Sequence, residues 1–412
     1  MASKRSRRLP ILLLAFPLIA VACGSGTDDA GPVGTASGNP SDASQPAQGA
    51  GPTEVEQLQS TPPDVTISGL TIVRGGSLDG APEPLIDVGE IRAVLSPDGI
   101  PSIDEPKFLT TSEVDFLEEN EPVLAFDIDG DVRAYPVQIL TWHEIVNDTV
   151  GGTPVAVTYC PLCNSAVAYD RRVDDMVVDF GISGMLWNSA LVMFDRQTET
   201  LWSHFTGEGI VGELTGLQLE TFPVATVPWG VWRDANPDGL VLSQDTGFSR
   251  SYGRNPYPGY DDVNRQPFLF DGEVDGQYTA MTRILGIEID DEALGVPFFL
   301  LQEEHVVTAK VAGTEIVALW APGTASALDA GEIAGGDDVG ATGVFIPIID
   351  GQDLTFAPVE GGFVDDQTGS TWNILGTAVD GELEGSELEA LTHVDTFWFA
   401  WSAFQPDTAI IE

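Results

Sequence analysis

The sequence predicts a strand-rich α+β protein, built as a tandem, pseudo-twofold duplication of a mostly antiparallel β unit with short helices. Short apolar runs separated by Gly, Asp and Asn turns recur along the chain, and the absence of regular strand–helix alternation disfavours a doubly wound parallel sheet. A spaced series of identical residues also occurs twice, which indicates an internal repeat. The paired positions are Gln197-Thr198, Trp202, Gly212-Glu213-Leu214, Trp229 and Trp232 in the first half, and Gln367-Thr368, Trp372, Gly381-Glu382-Leu383, Trp398 and Trp401 in the second.

A weaker match extends the repeat towards the start of each half. Residues 123–136 align with residues 284–297, and the same register continues beyond them. It places Cys160 on Ala321, Cys163 on Thr324, and Ser165-Ala166 on Ser326-Ala327. We therefore expect the second half to keep the loop that carries the cysteines while lacking both sulfurs.

The individual elements follow from turn residues and from the spacing of apolar residues. Asp129-Gly130 is a strong hairpin signal between two short apolar runs. Pro136 begins a predicted helix that runs to Val146, and further short helices are predicted at Trp229 to Ala235 and at Trp398 to Phe404. Strands are predicted at Leu124 to Ile128, Val132 to Tyr135, Val155 to Tyr159, Ala166 to Tyr169, Val177 to Phe180 and Ala190 to Phe194.

The first 23 residues are typical of a lipoprotein signal. Basic residues precede an apolar stretch from Ile11 to Val21, which leads to Cys23 as the predicted lipidation site. The stretch is shorter than the ~20 residues that a membrane-spanning helix needs. Ordinary secretory cleavage near Ala22 is the alternative. Either reading places the protein outside the cytoplasm, and the first predicts a cell-envelope protein that is lipid-anchored on the extracytoplasmic side of the membrane.

The rest of the chain divides by composition. Residues 24–64 contain mainly Gly, Ser, Ala, Pro, Thr and Asp, so we expect a disordered tether that cannot bury enough apolar surface to fold. The remaining residues are too many for one compact core and fit two halves. The predicted boundaries are 65–244 for the first half, 245–265 for a connecting loop rich in Tyr, Arg, Pro and Gly, and 266–412 for the degenerate second half.

The charge of the chain excludes one class of partner. The sequence has 64 acidic residues against 17 Lys and Arg, and its formal net charge is −47. Such a field repels nucleic acid and anionic lipid head groups. We expect a monomer whose acidic surface serves solvation and whose membrane contact is the lipid on Cys23.

The segment Cys160-Pro161-Leu162-Cys163 carries the chemistry that the sequence predicts. Two thiols three positions apart can cycle between dithiol and disulfide, and so reduce a peroxide, a disulfide or a sulfoxide. The same thiols can bind a soft metal, for which copper with His143 or His204 is the natural choice. The third alternative is a fixed disulfide in a non-catalytic surface module, although so small a loop gains little from a cross-link. The sequence has no flavin, haem or nicotinamide motif, so no organic cofactor is predicted and the electron donor is not identified.

Further polar residues are candidates for the same site. His143 and Glu144 lie on the predicted helix before the cysteines, and His204 follows a strand; these three are candidate acid–base residues. Hydrogen-bonding residues of turns and of the connecting loop are candidates for substrate binding, with turn formation and linker packing as the structural alternatives. These candidates are Asn164, Asn188, Ser189, Arg254 and Tyr257.

Several of these motifs together resemble a known bacterial family, the domain of unknown function 3179, over roughly residues 70 to 410. They are Trp142-His143-Glu144 with Asn147, Thr158 to Ser165, Asn188-Ser189, Phe194-Asp195-Arg196, Leu201-Trp202 and the segment from Asp245 to Tyr260. Some members of that family carry selenocysteine where Cys163 stands. The resemblance therefore implies redox chemistry, with Cys163 as the attacking sulfur and Cys160 as the resolving one, and it implies no particular substrate.

Overall fold

The computed structural model describes residues 66–67, 70–71 and 81–411. The predicted signal at residues 1–23, its lipidation site Cys23 and the predicted tether at 24–64 lie outside the described residues. Within the described part, strands dominate and short helices join them, which confirms the predicted strand-rich class. None of the helices described is both long and apolar enough to cross a membrane.

The chain up to residue 244 forms strands β1 to β18 and helices α1 and α2, with 3-10 turns at Val88–Glu90 and Thr111–Glu113. The strands are β1 (Thr66–Ile67), β2 (Leu70–Thr71), β3 (Arg92–Ala93), β4 (Phe108–Thr110), β5 (Pro122–Ile128), β6 (Asp131–Pro136), β7 (Ile145–Val150), β8 (Thr153–Cys160), β9 (Ser165–Asp170), β10 (Arg172–Val173), β11 (Met176–Val177), β12 (Phe180–Trp187), β13 (Ala190–Asp195), β14 (Leu201–Ser203), β15 (Gly209–Val211), β16 (Thr221–Phe222), β17 (Ala225–Pro228) and β18 (Leu240–Leu242). The helices are α1 (Val137–His143) and α2 (Trp229–Ala235).

The remaining chain forms strands β19 to β32 and helices α3 and α4, with a 3-10 turn at Ile333–Gly335. The strands are β19 (Arg283–Ile289), β20 (Glu292–Pro297), β21 (Val306–Val311), β22 (Thr314–Ala321), β23 (Ala341–Ile346), β24 (Ile348–Ile349), β25 (Gln352–Asp353), β26 (Phe356–Val359), β27 (Gly362–Asp365), β28 (Thr371–Trp372), β29 (Ala378–Asp380), β30 (Glu389–Ala390), β31 (His393–Phe397) and β32 (Ala409–Ile410). The helices are α3 (Phe298–Glu304) and α4 (Trp398–Phe404).

Three sheets of the first part have counterparts with the same strand order in the second. The order β17-β5-β6-β18 matches β31-β19-β20-β32, and in each sheet the last pair is parallel while the others are antiparallel. The order β7-β8-β9-β16 matches β21-β22-β23-β30, and β12-β13-β14-β15 matches β26-β27-β28-β29. These matching orders support the duplication, which remains an inference from the sequence.

The repeated Trp residues take part in the same hydrogen bond in both parts. The Trp202 Nε1–H donates to the carboxylate of Asp195 at 3.0 Å, and the Trp372 Nε1–H donates to that of Asp365 at 3.0 Å. Both tryptophans are fully buried, so each ring nitrogen needs an internal acceptor. This requirement explains why the spacing between the acidic turn and the Trp recurs in the sequence.

Most of the predicted elements are present, and two have different ends. The Asp129-Gly130 hairpin and the helices at 229–235 and 398–404 are confirmed. The helix predicted to reach Val146 is wrong at its end, because Glu144 takes a positive φ of 57° and the chain enters β7. The strand predicted at Val177 to Phe180 is also shifted, since the long strand begins at Phe180.

The alignment of the two cysteine-loop regions is correct up to Cys160 and wrong after it. The hairpin β21–β22 places Ala321 where β7–β8 places Cys160. However, β8 pairs with β9 through Cys160 and Ser165, whereas β22 pairs with β23 through Ala321 and Ala341. The second part therefore has a longer connection, residues 322–340, where the first has a four-residue turn. Ser326-Ala327 lies within that connection and is not the counterpart of Ser165-Ala166.

The core that contains the cysteines is built by both parts of the chain. Cys160 and Cys163 pack in one apolar cluster with Phe180 and Trp202 from nearby strands. The same cluster contains residues from beyond position 320, namely Leu328, Phe397, Phe399 and Ala400. The cysteine turn is therefore covered by the second part of the chain rather than by solvent.

Candidate functional site

The two cysteines sit at the ends of a tight turn between β8 and β9. Cys160 is the last residue of β8 and pairs with Ser165, the first residue of β9. Asn164 closes the turn with a positive φ of 54°, which Asn tolerates better than most residues. Both cysteines are free thiols and both are buried, with 1% and 0% of their surface exposed. The turn thus holds two reactive groups together, away from bulk solvent.

The second part of the chain fixes this turn directly. The backbone carbonyl of Cys163 accepts a hydrogen bond from the Thr396 hydroxyl at 2.8 Å and one from the Phe397 amide at 3.2 Å. The sulfur of Cys163 lies 2.9 Å from the Ser165 hydroxyl. The position of Cys163 is therefore set both by its own hairpin and by strand β31.

The two thiols differ in their electrostatic surroundings. Burial raises the pKa of the Cys160 thiol, but hydrogen bonds from the Cys163 thiol and from the Cys163 amide oppose it. The amides of Leu191 and Leu162 add to these hydrogen bonds, so the pKa of Cys160 is lowered overall. Burial and the hydrogen bond to Cys160 raise the pKa of Cys163 well above its usual range. Cys160 is the sulfur that these surroundings favour as a thiolate, and Cys163 is the protonated donor.

His204 is the imidazole that lies beside the sulfurs. One ring nitrogen of His204 and the sulfurs of Cys160 and Cys163 all lie within 4.8 Å of one another. The ring is fully buried, and neither of its nitrogens has a hydrogen-bond partner. Its backbone is fixed, because the amide donates to the Leu191 carbonyl at 3.2 Å and the carbonyl accepts from the Tyr169 hydroxyl at 2.6 Å. Burial lowers the pKa of His204 to about 3, so the ring is neutral at physiological pH.

A cavity of about 380 Å³ lies next to the cysteine turn. Its lining is mainly apolar and includes Leu162, which stands between the two cysteines, and Leu191, whose amide faces the Cys160 sulfur. Glu144 also lines the cavity. Burial, reinforced by the negative charge of Cys160, raises the pKa of the Glu144 carboxyl well above its usual range. A neutral carboxylic acid therefore faces the cavity close to a sulfur favoured as a thiolate.

The positive φ of Glu144 is a feature of the fold, because the same turn occurs in the second part of the chain. Glu144 follows α1 with a φ of 57°, and His305 follows α3 with a φ of 61°. Each residue also accepts a hydrogen bond at 2.8 Å on its carbonyl, from the Tyr159 amide and the Trp320 amide respectively. The two halves thus share the turn, and only the side chain placed on it differs.

His143 does not join the cysteines, although the sequence offered it as a catalytic residue and a metal ligand. Its Nδ1 lies 2.7 Å from the Pro101 carbonyl and must donate to it, so Nε2 accepts from the Tyr252 hydroxyl at 2.7 Å. Burial lowers the pKa of His143, which agrees with a neutral ring. The hydrogen bond between His143 and Tyr252 therefore connects helix α1 to the segment around Tyr252.

The predicted substrate-binding residues are not gathered in one place. Of the five, Tyr257 lines the cavity beside Glu144. Asn188 and Ser189 form the two-residue turn between β12 and β13, with φ values of 50° and 60°, so turn formation accounts for them. Arg254 is exposed and pairs with Glu332 at 2.9 Å.

Asn164 does not line this cavity, and its amide oxygen accepts a hydrogen bond from the Tyr159 hydroxyl at 3.2 Å. Asn164, Asn188, Ser189 and Arg254 thus have structural partners and lie outside the cavity lining. Sequence reasoning missed Leu191, Ser165 and Thr396. Ser165 lies two positions after the cysteine motif and could have been included, whereas nothing in the sequence marks the other two.

The chain belongs to the family described as Protein of unknown function (DUF3179), whose model matches residues 97–408. The matched range includes the cysteine turn, Glu144, His204 and Thr396. No curated protein and no solved structure matches the chain.

Proposed function

We propose that Cys160 and Cys163 form a dithiol–disulfide redox centre that reduces a small molecule entering the adjacent cavity. The observation that carries this proposal is the unequal placement of the two sulfurs. Two free thiols share one tight turn and lie within 4.8 Å of each other; although burial opposes it, the Cys163 thiol and nearby backbone amides lower the pKa of Cys160, while burial raises the pKa of Cys163. A stabilised thiolate beside a protonated resolving thiol is the arrangement that two-cysteine exchange requires.

The burial of both sulfurs restricts the substrate. A disulfide on the surface of a folded protein cannot reach thiols that are 1% and 0% exposed. A cavity of about 380 Å³ accommodates a small organic molecule, and its lining includes Leu162 and Leu191, whose backbone amides lie near the Cys160 sulfur. A small peroxide, sulfoxide or disulfide therefore fits the proposal, and a folded protein substrate does not.

The chemistry can be written for a hydroperoxide. The Cys160 thiolate attacks the distal oxygen, so an S–O bond forms and the O–O bond breaks, and the leaving alkoxide takes the proton of the Glu144 carboxyl. Cys163 then attacks the Cys160 sulfenic acid, a disulfide forms, and water leaves with the proton of Cys163. Two electrons pass from the sulfurs to the peroxide, and a dithiol reductant returns the disulfide to two thiols. In this order of steps Cys160 is the attacking sulfur and Cys163 the resolving one. The family members with selenocysteine at the position of Cys163 imply the opposite roles.

A redox titration tests the proposal. The purified protein is equilibrated in thiol–disulfide buffers of known potential, and free Cys160 and Cys163 are then counted by alkylation and mass spectrometry. We expect a reduction potential above about −300 mV, since structural disulfides lie below that value. A lower potential supports the fixed-disulfide alternative and overturns the redox proposal. Peroxide consumption should be lost in Cys160→Ser, and Cys163→Ser should stop at the sulfenic acid with its thermal unfolding unchanged.

We also propose that the protein is lipid-anchored on the extracytoplasmic side of the membrane, as the sequence predicts. A protein lipid-anchored at Cys23 would hold the redox centre at the cell envelope, where a membrane-associated donor could reduce it. The intact mass of the mature protein tests this part. A chain that begins at Cys23 and carries acyl chains supports it, and an unmodified chain that begins after Ala22 contradicts it.

A further inference from the structure

We infer that Cys160, Cys163 and His204 together form a binding site for one Cu(I) ion when the two cysteines are reduced. This inference goes beyond the proposed redox function, because it assigns a ligand to the reduced pair and a role to His204. It rests on the position of the three side chains and on the unsatisfied state of the imidazole.

The geometry of the three ligand atoms suits a single ion. The two sulfurs and one imidazole nitrogen lie within 4.8 Å of one another. Typical metal bond lengths are ~2.3 Å to sulfur and ~2.0 Å to nitrogen. Two ligand atoms that bind the same ion are therefore no farther apart than the sum of two such bonds, and this sum is within the observed separation. The cysteines come from the β8–β9 turn and His204 follows β14, so two separate hairpins converge on this point.

The unpartnered imidazole is an independent observation. His204 is completely buried, and both of its ring nitrogens lack a hydrogen-bond partner, although buried polar groups in folded proteins are normally satisfied. His143 offers the contrast, since both nitrogens of its equally buried ring have partners at 2.7 Å. An ion bound to the His204 nitrogen that faces the sulfurs would supply one of the missing interactions. This contrast selects His204 over His143 as the third ligand.

The donor set favours Cu(I) over the other soft metal centres. Thiolate ligands select Cu(I), Zn(II) and iron–sulfur clusters. Iron–sulfur clusters need four cysteine ligands in most cases, and the whole chain has three cysteines. Zn(II) sites are four-coordinate, with either four protein ligands or three and a water, whereas the cluster among the described residues contains three ligands that are all buried away from solvent. Cu(I) accepts two thiolates and one imidazole without a fourth protein ligand.

Metal binding and disulfide formation compete for the same sulfurs. Binding converts the two cysteines into metal thiolates, and any proton carried by either thiol is released to solvent, with no change in oxidation state. Oxidation of the pair to a disulfide removes both sulfur ligands. We therefore expect the reduced protein to bind the ion and the oxidised protein to release it.

The experiment titrates the reduced protein anaerobically with Cu(I) in competition with the chromophoric chelator bathocuproine disulfonate. We expect one Cu(I) per chain, with sulfur and nitrogen neighbours in the X-ray absorption spectrum. His204→Phe should weaken binding at least tenfold, and Cys160→Ser or Cys163→Ser should abolish it. His143→Gln is the matched control and should bind as the unmodified protein does. His204→Asn, which keeps a polar group of similar reach, provides a second variant if His204→Phe does not fold.

Three results would overturn the inference: no Cu(I) bound by the reduced protein, equal binding by a folded His204 variant, or tight binding of Zn(II) without Cu(I). The outcome is separate from that of the redox proposal. The copper titration is carried out with the pair held reduced, so a very low reduction potential would remove the redox function and leave the Cu(I) site intact. Conversely, loss of Cu(I) binding would leave the measured potential unchanged.

Discussion

The hydrogen bond between Thr396 and Cys163 gives a quantitative test of how the second part of the chain protects the thiols. The Thr396 hydroxyl lies 2.8 Å from the Cys163 carbonyl and is fully buried. Thr396→Val keeps the shape of the side chain and its preference for strands, and it removes this bond alone. The Cys163 carbonyl keeps the Phe397 amide at 3.2 Å as a partner, so the buried acceptor is not left unpaired.

The size of the effect follows from that arrangement. A neutral hydrogen bond contributes about 0.5–1.5 kcal/mol, and the remaining amide places Thr396 in the lower part of that range. If the thiols become accessible when the turn detaches from β31, the population of the open state rises by the same free energy. The native-state alkylation rate of the cysteines should then increase by roughly 2- to 5-fold.

The assay measures iodoacetamide labelling of the folded protein together with urea unfolding. Thr141→Val is the control, because the Thr141 hydroxyl is also buried and also donates to a backbone carbonyl, that of Val137, at 2.7 Å. Both variants should lose similar global stability, and only Thr396→Val should label faster. Equal acceleration in both variants would mean that labelling requires global unfolding, and an unchanged rate in Thr396→Val would mean that β31 does not control access.

Three further predictions concern acid–base groups. Burial raises the pKa of the Asp365 carboxyl, but the hydrogen bonds from Trp372 and neighbouring residues outweigh burial and lower this pKa overall. The ionised carboxylate therefore stabilises the fold at any pH above the usual carboxyl pKa of about 4. This stabilisation is lost as the pH falls through the lower pKa that Asp365 has in the folded protein. Asp365→Asn should therefore cost about 1–3 kcal/mol in urea unfolding near neutral pH and less in acid, and parallel pH curves for the two proteins would contradict this. The alkylation of Cys160 should have a lower pH midpoint than that of Cys163, as resolved by peptide mass spectrometry, and the reverse order would restore Cys163 as the attacking sulfur. Glu144→Gln should lower peroxide turnover by about 100-fold without slowing the alkylation of Cys160, and full turnover would remove Glu144 as the proton donor.

Much of the fold could be predicted because the signals are local. The Asp129-Gly130 turn, the Pro before α1 and the Trp-rich starts of α2 and α4 each act within a few residues. The end of α1 could not be predicted in this way, since the positive φ of Glu144 is imposed by the return of the chain into β7. The alignment of the two halves failed after Ala321 for a similar reason, because an insertion at 322–340 has no residue-level signal in one sequence.

The site was predicted in part. The two cysteines stand out because their spacing alone permits joint chemistry. The choice between His143 and His204 depends on which ring already has partners, and hydrogen bonds to Pro101 and Tyr252 are tertiary contacts. The contribution of Thr396 depends on a contact 233 residues away along the chain, which no local pattern records.

That long separation has a consequence for biogenesis. The ribosome completes the cysteine hairpin 233 residues before it adds the threonine that covers it, so each newly made chain passes through a stage in which both thiols are uncovered. An oxidant, a metal donor or a thiol that reacts with them during this interval will leave its product covered when strand β31 docks. The initial chemical state of the folded protein then depends on the order of events during synthesis, and cells that differ in their folding environment should yield chemically distinct preparations from the same gene.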